Sequence, residues 1–520
     1  MAAGHQFAIG LRADTQLRQD RTSLSVCLHG QPVLRLDRPS LGVAAAVSAM
    51  AAGGDTERAL TAVVRERDGL DGLARFYYVL GRLAKLNLCA WSVRGTRGRL
   101  ATLTSMSPGH RPRAVEPDPA TSYVLSRFAF TRRHERGHVL ESSRTPVRML
   151  LHDHRGALVV HAAATPGDPK DIAARCIDVA AEEVHTLLAA LVGSDLLVPA
   201  AAEGTVDTAG TAGTVSTADA VCTAEDEDPA LAMWEFHDLL FHTRSRNGRH
   251  DQPVGGTYPH LGRWPAPPAL AARPEPGDPG SGGAEPGDAD ASVPLVVPDL
   301  EALSHKDPPY VRVQEDRRSV RRYGPTPLRL DQLGEFLYRV GRVREQHRVD
   351  IPGPEGPSPL AVATRPYPNG GALYELDLYV VAATCEGLPG GLYRYDGAGH
   401  RLLPVSGDAD PAPLLDYAAR SIHGRVEDLH VLVTIAARFG RMTWKYQSVA
   451  YSLILKDVGV LMQTMYLAAT AMGLAPCALG GGDADLFARV AGVDYFTETS
   501  VGEFLLGGSP APVQKLLTPP

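Results

Sequence analysis

Two stretches of this chain are too poor in large apolar side chains to join a folded core. Residues 201–228, AAEGTVDTAGTAGTVSTADAVCTAEDED, are small and polar before turning acidic; residues 265–294, PAPPALAARPEPGDPGSGGAEPGDADASVP, are dominated by Pro, Gly, Ala and Asp. Ordering a residue's backbone costs about 1–2 kcal/mol, and neither stretch has the apolar burial to offset it. They divide the 520 residues into an N-terminal half, an island at 229–264 and a C-terminal third. Length points the same way, because single hydrophobic cores stop growing at about 250–300 residues. With 44% hydrophobic and 21% charged residues, the remaining segments have ample material for globular cores.

A net charge of −7 argues against a general nucleic-acid binder, which needs a basic face for phosphate. The N-terminal MAAGHQFAIGLRADTQLRQD lacks the basic segment and apolar core of a secretion signal, and no apolar run reaches membrane-spanning length. The expectation is a soluble cytoplasmic protein with no membrane contact. Cys27, Cys89, Cys176, Cys222, Cys385 and Cys477 are scattered without CxxC spacing, as suits reduced thiols, and no metal site is expected.

The N-terminal half reads as a loose duplication. SLSVCLHGQPVLRLD, LGVAAAVSAMAAGG and a helix ending LARFYYVLGRLAKLNLCAWSV form one copy; RFAFTRRHERGHVLES, RMLLHD, LVVHAAAT and ARCIDVAAEEVHTLLAALVGSDLLVPA form the other. In each, a helix with leucines three and four apart runs into a short apolar strand. Two winged-helix-like domains, 1–105 and 106–200, are expected, followed by a flexible linker at 201–228 and a connecting segment at 229–295. Such domains serve equally as a plain platform or as an exposed sheet edge that captures an extended peptide by strand addition. In the island, His237 and His242 are five apart, which misses the one-face spacing of helical metal ligands.

The region 296–520 changes to an α+β pattern. It has a helix VRVQEDRRSVRRYG, a helix LRLDQLGEFLYRVGRV, strands YELDLYVVAAT, HVLVTIAARF and SVGEFLLGG, a hairpin GLYRYDGAGHRLLPV, a helix near 411–421 and a long helix from about Gln447 to Met472. No GxGxxG follows a strand and opens a helix, and no GxxxxGK[ST] is present. Instead Arg317, Arg318, Ser319 and Arg321 cluster in a pattern that matches a phosphate, although a solvated basic helix face has the same composition. Gly370 and Gly371 precede an aromatic-rich strand, where backbone can approach a flat ligand closely or simply turn tightly. Lys445 and Tyr446 stand side by side before the long helix. They are an acid–base pair, or an interfacial tyrosine beside a snorkelling lysine. Neighbours in a regular helix point about 100° apart, so cooperation requires them to lie before the helix or in its first turn.

Together, DRRSVRRYGPTPL, RPYPNGGALYELDLYVVA, GLYRYD, WKYQSVAYSLILKDVGVLMQTMYLAATAMGLAPCALGGG and VGEFLLG resemble, in order over roughly 300–515, the SagB-type dehydrogenases of the flavin-dependent nitroreductase fold. The paired N-terminal domains and WEFHDLLFHTRSR resemble the front of longer family members. The resemblance implies FMN bound across a homodimer interface, and oxidation of azolines to azoles in a heterocyclised precursor peptide, alone or docked in a cyclodehydratase complex. It implies that Arg317, Arg318, Ser319 and Arg321 hold the FMN phosphate and the polar edge of the ring. Asn369, Gly370 and Gly371 would lie against the isoalloxazine, and Gly480, Gly481 and Gly482 would line its other approaches. Lys445 and Tyr446 would be catalytic, with proton removal given first to Tyr446 and the reverse assignment open. Two other readings compete: an NAD(P)H-dependent nitroreductase or quinone reductase, and a non-catalytic peptide-binding scaffold.

Overall fold

The computed structural model describes residues 7–135, 137–200, 221–270, 292–353, 356–405 and 410–510. Most of both low-complexity stretches, 201–220 and 271–291, lies outside the described residues. The chain divides into two compact units, Met1–Gln252 and Pro253–Pro520.

The first unit opens with β1 (Phe7–Leu11), β2 (Thr15–Gln19), β3 (Ser23–Leu28) and β4 (Gln31–Asp37), then α1 (Leu41–Ala51), β5 (Asp55–Thr56), α2 (Glu57–Lys85), β6 (Cys89–Gly95) and β7 (Gly98–Ser105). Val43, Ala46, Val47 and Met50 of α1 recur at helical spacing and are buried. Helix α2 is capped by Thr56, whose side chain accepts from Ala59 N, and buries Phe76, Val79, Leu80 and Leu83. The second repeat comprises β8 (Tyr123–Leu125), β9 (Ala129–His134), β10 (Gly137–Ser142), β11 (Val147–Leu151), α3 (His154–Ala162), α4 (Pro169–Ala174), α5 (Ala181–Val192) and β12 (Leu197–Pro199). Strand β7 pairs antiparallel with β11, so both repeats join one sheet of order β5-β1-β6-β7-β11-β10-β9. One apolar core runs from Ile9 to Leu197 across both. Strands β2, β3 and β4 form a separate meander in which β4 is an edge.

Helices α6 (Ala224–Glu227), α7 (Pro229–Ala232) and α8 (Phe236–Arg244) complete the unit. Residues 223–227 close the first low-complexity stretch, yet they are ordered, and the reason is polar. Glu225 is 1% exposed and accepts from Ser126 Oγ (2.7 Å) and Arg127 N (3.0 Å) while pairing with Arg144 (3.0 Å). In the island, Trp234 stacks on His242 at 5.6 Å, a packing role for that histidine.

The second unit has β13 (Gly255–Gly256), β14 (Val293–Pro294), α9 (Leu300–Lys306), α10 (Tyr310–Asp316), β15 (Leu328–Arg329), α11 (Leu330–Gly341), β16 (Glu345–Gly353), β17 (Gly356–Thr364), β18 (Leu376–Ala382), β19 (Cys385–Glu386), β20 (Gly391–Asp396) and β21 (Arg401–Pro404). It continues with α12 (Ala412–Ser421), β22 (Val431–Arg438), α13 (Phe439–Thr443), β23 (Tyr446–Gln447), α14 (Ala450–Ala471), β24 (Ala475–Ala478), α15 (Ala484–Ala491) and β25 (Glu498–Gly507). An antiparallel sheet, β14-β21-β20-β18-β22-β25-β24, forms its middle layer. Leu376, Leu378 and Val380 of β18 face the core that contains α11 and α14; Tyr379 and Val381 face the one that contains α12 and α15. Burial on both faces explains why this strand is apolar apart from Asp377, whose carboxylate pairs with Arg365 and Arg438. The fold is the expected α+β arrangement.

One expected helix is shortened. Helix α10 ends at Asp316, and the arginine cluster leaves it as irregular chain. Continuing the helix would set Arg317 over Arg321 and Arg318 over Arg322, like charges at i,i+4. The released backbone instead docks, with Val320 N donating to Pro476 O (2.7 Å) and Gly324 N to Ser509 O (2.8 Å). Among the described residues no helix is long and apolar enough to cross a membrane.

Replacing Glu225 by Ala should destabilise the first unit by about 3 kcal/mol, because Arg144 and the Ser126–Arg127 donors lose their acceptor. The urea midpoint of the full-length chain reads this, and Glu225→Gln should lose less. An unchanged midpoint in Glu225→Ala would show that the carboxylate is not what orders 223–227.

Candidate functional site

Lys445 and Tyr446 stand outside the helix, as cooperation between them requires. Helix α13 ends at Thr443, Tyr446 begins β23, and α14 starts only at Ala450 after a left-handed turn at Ser448 (φ 59°). Strand β23 is held by β13, with Gly256 opposite Tyr446, and Tyr258 N donates to Lys445 O (3.0 Å). Thr257 Oγ1 donates to Gln447 Oε1 (2.6 Å) and Ser448 Oγ to Pro253 O (2.9 Å). The Lys445 ammonium lies 5.2 Å from the Tyr446 ring centroid and 5.7 Å from that of Tyr258.

Both side chains end against one glycine. A methyl group added at Gly371 would overlap the Tyr446 hydroxyl and Lys445 Nζ, and Gly371 has φ +67°. Gly371 belongs to a tight turn over 369–372 whose geometry is set by Asn369. The Asn369 carbonyl accepts from Leu373 N (3.1 Å) and Tyr374 N (2.8 Å), while its amide nitrogen donates to Glu375 Oε2 and Asp457 Oδ2, each at 2.9 Å. Gly370 N also donates to Asp457 (3.1 Å). Asn369, Gly370, Gly371, Lys445 and Tyr446 therefore form one assembly.

Arg441 supports it from below. Its side chain is 1% exposed and donates only to backbone carbonyls: Leu373 O (2.7 and 3.0 Å), Pro267 O (2.6 Å) and Ala361 O (3.2 Å). Burial lowers its pKa to about 10. Burial, reinforced by the Arg441 charge, also holds Lys445 below its ordinary value. Tyr446 moves up, through burial and then the neighbouring Tyr258, Asp457 and Glu375. These directions favour a neutral amine at Lys445 and a protonated phenol at Tyr446, the reverse of the assignment first drawn from sequence.

The arginine cluster and the triple glycine meet at the far end of α14. Ser319 Oγ is 2.7 Å from Tyr466 Oη, which accepts from Ala478 N (2.8 Å), and the Arg317 guanidinium lies 5.3 Å from the Tyr466 ring centroid. Arg318 and Arg321 are exposed. Gly480, Gly481 and Gly482 follow β24 after Leu479, and at Gly482 a Cβ would overlap the Glu503 carboxylate. Asp457 and Tyr466 are nine residues apart on one helix, about 14 Å along its axis. A cationic, phosphate-matching end and a glycine-floored end thus lie along a single helix. This donor set fits an elongated anionic cofactor with a flat head.

Tyr258, Glu375, Arg441, Asp457 and Tyr466 were not singled out from sequence. The signal that marks Glu375 and Asp457 is a carboxylate within a largely apolar stretch, Glu375 two residues before Asp377 and Asp457 directly after Lys456. Glu498 has a structural contact: it accepts from Tyr379 Oη (2.9 Å).

Gly371→Ala should keep the fold, at about 1–2 kcal/mol for the left-handed backbone, while displacing Lys445 and Tyr446. Retained urea stability within that range together with lost turnover is the expected result. Full turnover would show that the glycine floor does not position the pair.

Protein-family models match the chain in three places: the ThcOx helix-turn-helix domain over residues 4–113, the cyanobactin oxidase ThcOx over 123–251, and the nitroreductase family over 315–507. A Methanocaldococcus jannaschii protein named as a nitroreductase is 25% identical over 186 residues, 36% of this chain and 83% of that protein. Among solved structures, a Ralstonia eutropha protein described as a nitroreductase is 21% identical and aligns with 48% of this chain and 100% of its own (TM-score 0.33). A chain of the E. coli microcin synthetase McbBCD complex with truncated pro-MccB17 is 21% identical, aligning with 43% of this chain and 86% of its own (TM-score 0.29). The Lys–Tyr, Asn-Gly-Gly and arginine motifs all fall within or beside the nitroreductase match, behind two segments that match cyanobactin-oxidase models. In that order, the chain carries a segment matching the ThcOx helix-turn-helix domain, a segment matching the cyanobactin oxidase ThcOx and a nitroreductase-family domain, the parts of an oxidoreductase.

Proposed function

We infer that this protein oxidises thiazoline and oxazoline rings to thiazoles and oxazoles in a ribosomally made precursor peptide, with FMN as its cofactor. The convergence of Lys445 and Tyr446 on Gly371 carries this reading. Aromatising an azoline removes a proton from Cα and a hydride from the adjacent ring carbon. FMN, when bound, supplies the hydride acceptor. Lys445, held towards its neutral form, takes the Cα proton on Nζ. Tyr446 keeps its proton on Oη and orients the ring by donating it as a hydrogen bond. Arg317, Arg318, Ser319 and Arg321 are assigned to the cofactor phosphate, Asn369, Gly370 and Gly371 to the ring, and Gly480, Gly481 and Gly482 to its remaining approaches. A homodimer is part of the proposal; exposed Tyr451, Tyr495 and Phe496 offer the second unit apolar surface to bury in one. Association with a cyclodehydratase and a cytoplasmic setting complete it. A reductase for small diffusible quinones or nitro compounds would need no such acid–base pair.

In the first unit, the edge strand β4 and α2 form the walls of a groove lined by Arg35, Arg38, Arg75, Arg82 and Tyr78, with Asp37 already paired to Arg35 (2.8 Å). Four guanidiniums beside an unpaired strand edge favour an acidic, extended peptide segment. We assign this groove to the precursor peptide outside the rings.

Incubation of the FMN-loaded enzyme with an azoline peptide should remove two hydrogens per ring, read by mass spectrometry. Lys445→Ala and Tyr446→Phe should retain flavin and lose conversion, and wild-type turnover should rise with pH as Lys445 deprotonates. Full activity in both variants would refute the acid–base assignment. Reversing charge at Arg75 and Arg82 should weaken binding of an acidic precursor segment by about tenfold, or about 1.4 kcal/mol, read by fluorescence anisotropy. Equal affinity in that variant would remove the groove from the proposal.

A further inference from the structure

Among the described residues, Glu375 and Asp457 form a buried carboxyl pair with no cation in ion-pair contact. Glu375 is fully buried and Asp457 is 5% exposed. They come from separate elements, Glu375 from the chain entering β18 and Asp457 from the first half of α14, and meet on the Asn369 amide nitrogen. Arg441, a buried cation that senses the Glu375 charge, spends its donors on carbonyl oxygens. Glu375 Oε1 is buried and has no N–H or O–H partner among the described residues, although the Asp457 carboxyl is within hydrogen-bonding reach. Two ionised carboxylates side by side in this setting repel each other without compensation, whereas one proton between them supplies the missing donor.

We propose that Glu375 and Asp457 share one proton, and that this shared proton holds the Asn369–Gly371 turn in place beneath Lys445 and Tyr446, making the two carboxyls positioning residues for the acid–base pair. The proton satisfies Glu375 and leaves acceptors for both donors of the Asn369 amide and for Gly370 N. With one negative charge left on the pair, Arg441 balances it, and the buried group is neutral overall. When the shared proton leaves, the carboxyls separate, Asn369 loses one acceptor, and Gly371 is released from its two side chains.

Of the charged and titratable groups facing the pair, the two cations favour the ionised carboxyls and burial outweighs them. Arg441 comes from α13, Lys456 from α14, Tyr446 from β23 and Tyr367 from the chain before the turn. Burial and the Asp457 charge outweigh the Asn369 hydrogen bond and raise Glu375 to about 7; burial raises Asp457 as well. A raised carboxyl binds its proton more tightly in the folded chain than in the unfolded one. The stability it contributes is therefore complete below the unfolded value of about 4.5 and is lost as pH rises through about 7.

Glu375→Gln and Asp457→Asn each place an amide where the shared proton would be, keeping an acceptor and supplying a donor that cannot ionise. The test uses the full-length chain and needs no substrate for its first two measurements. The difference in Tm between Glu375→Gln and wild type should become steadily more positive from pH 5 to pH 8. Amide exchange in the peptide containing 369–372, corrected for intrinsic rates, should accelerate above pH 7 in wild type and not in the variant. In azoline oxidation, the ratio of variant to wild-type kcat should rise over the same interval, and using the ratio cancels the titration of Lys445. A Tm difference that is flat with pH in both Glu375→Gln and Asp457→Asn would overturn the shared proton. A sloping Tm difference with unaltered exchange at 369–372 would overturn its positioning role. The inference rests on the azoline reading only for the kcat ratio: absence of azoline turnover with the melting and exchange behaviour intact would sink that reading alone.

Discussion

The second unit depends on a single buried guanidinium. Arg441 gathers carbonyl oxygens from three stretches far apart in sequence, around residues 267, 361 and 373. A buried cation satisfied only by carbonyl dipoles is tolerable because every donated bond is charge-assisted, but it leaves the charge unneutralised. That residual charge organises what lies above it. It lowers the affinity of Lys445 for its proton, four residues on, and it balances the carboxyl pair beneath the turn. One arginine thus fixes the shape of the site's floor and biases the protonation of the groups standing on it.

The same use of carbonyl acceptors explains why the ends of the low-complexity stretches are ordered. Prolines have no N–H to satisfy but retain a carbonyl, so a proline-rich strand can be tied down by donors from elsewhere. Trp264 and Pro267 accept from Trp444 and Arg441, and Pro268 and Ala269 accept from Arg438. At the end of the first stretch, Glu225 provides the acceptor instead, from within a capped turn. Composition measures what burial can offset. It does not register a segment whose ordering is supported by donors located 81 to 180 residues away.

That distinction governs how much was legible. Periodicity gave the α+β class, the long helix and the central strands, since those depend on local spacing and on burial over one or two faces. The adjacency of Lys445 and Tyr446 and the paired glycines are local patterns, and they do converge. The segment 317–323 is expected as helix because its composition is compatible with one, while the interactions that override it, with Pro476 and Ser509, are non-local. Glu375 and Asp457 were missed for a related reason. Each sits in a largely apolar stretch, and their meaning appears only when the 81 residues between them fold back to bring both onto Asn369.

Helix α14 then explains how distant motifs become one site. Its first half presents Asp457 to the turn that underlies Lys445 and Tyr446; its second half presents Tyr466, whose hydroxyl links Ser319 of the arginine segment to Ala478 before the triple glycine. Because a helix advances by a fixed rise, the nine-residue step from Asp457 to Tyr466 sets the separation of the cationic end from the acid–base end. Ile454 and Leu461, three before and four after Asp457, are buried in the core with Met465 and keep the rod from shifting. The distance between the motifs is consequently a property of packing, and a loop insertion at either end would change their approach without changing that spacing.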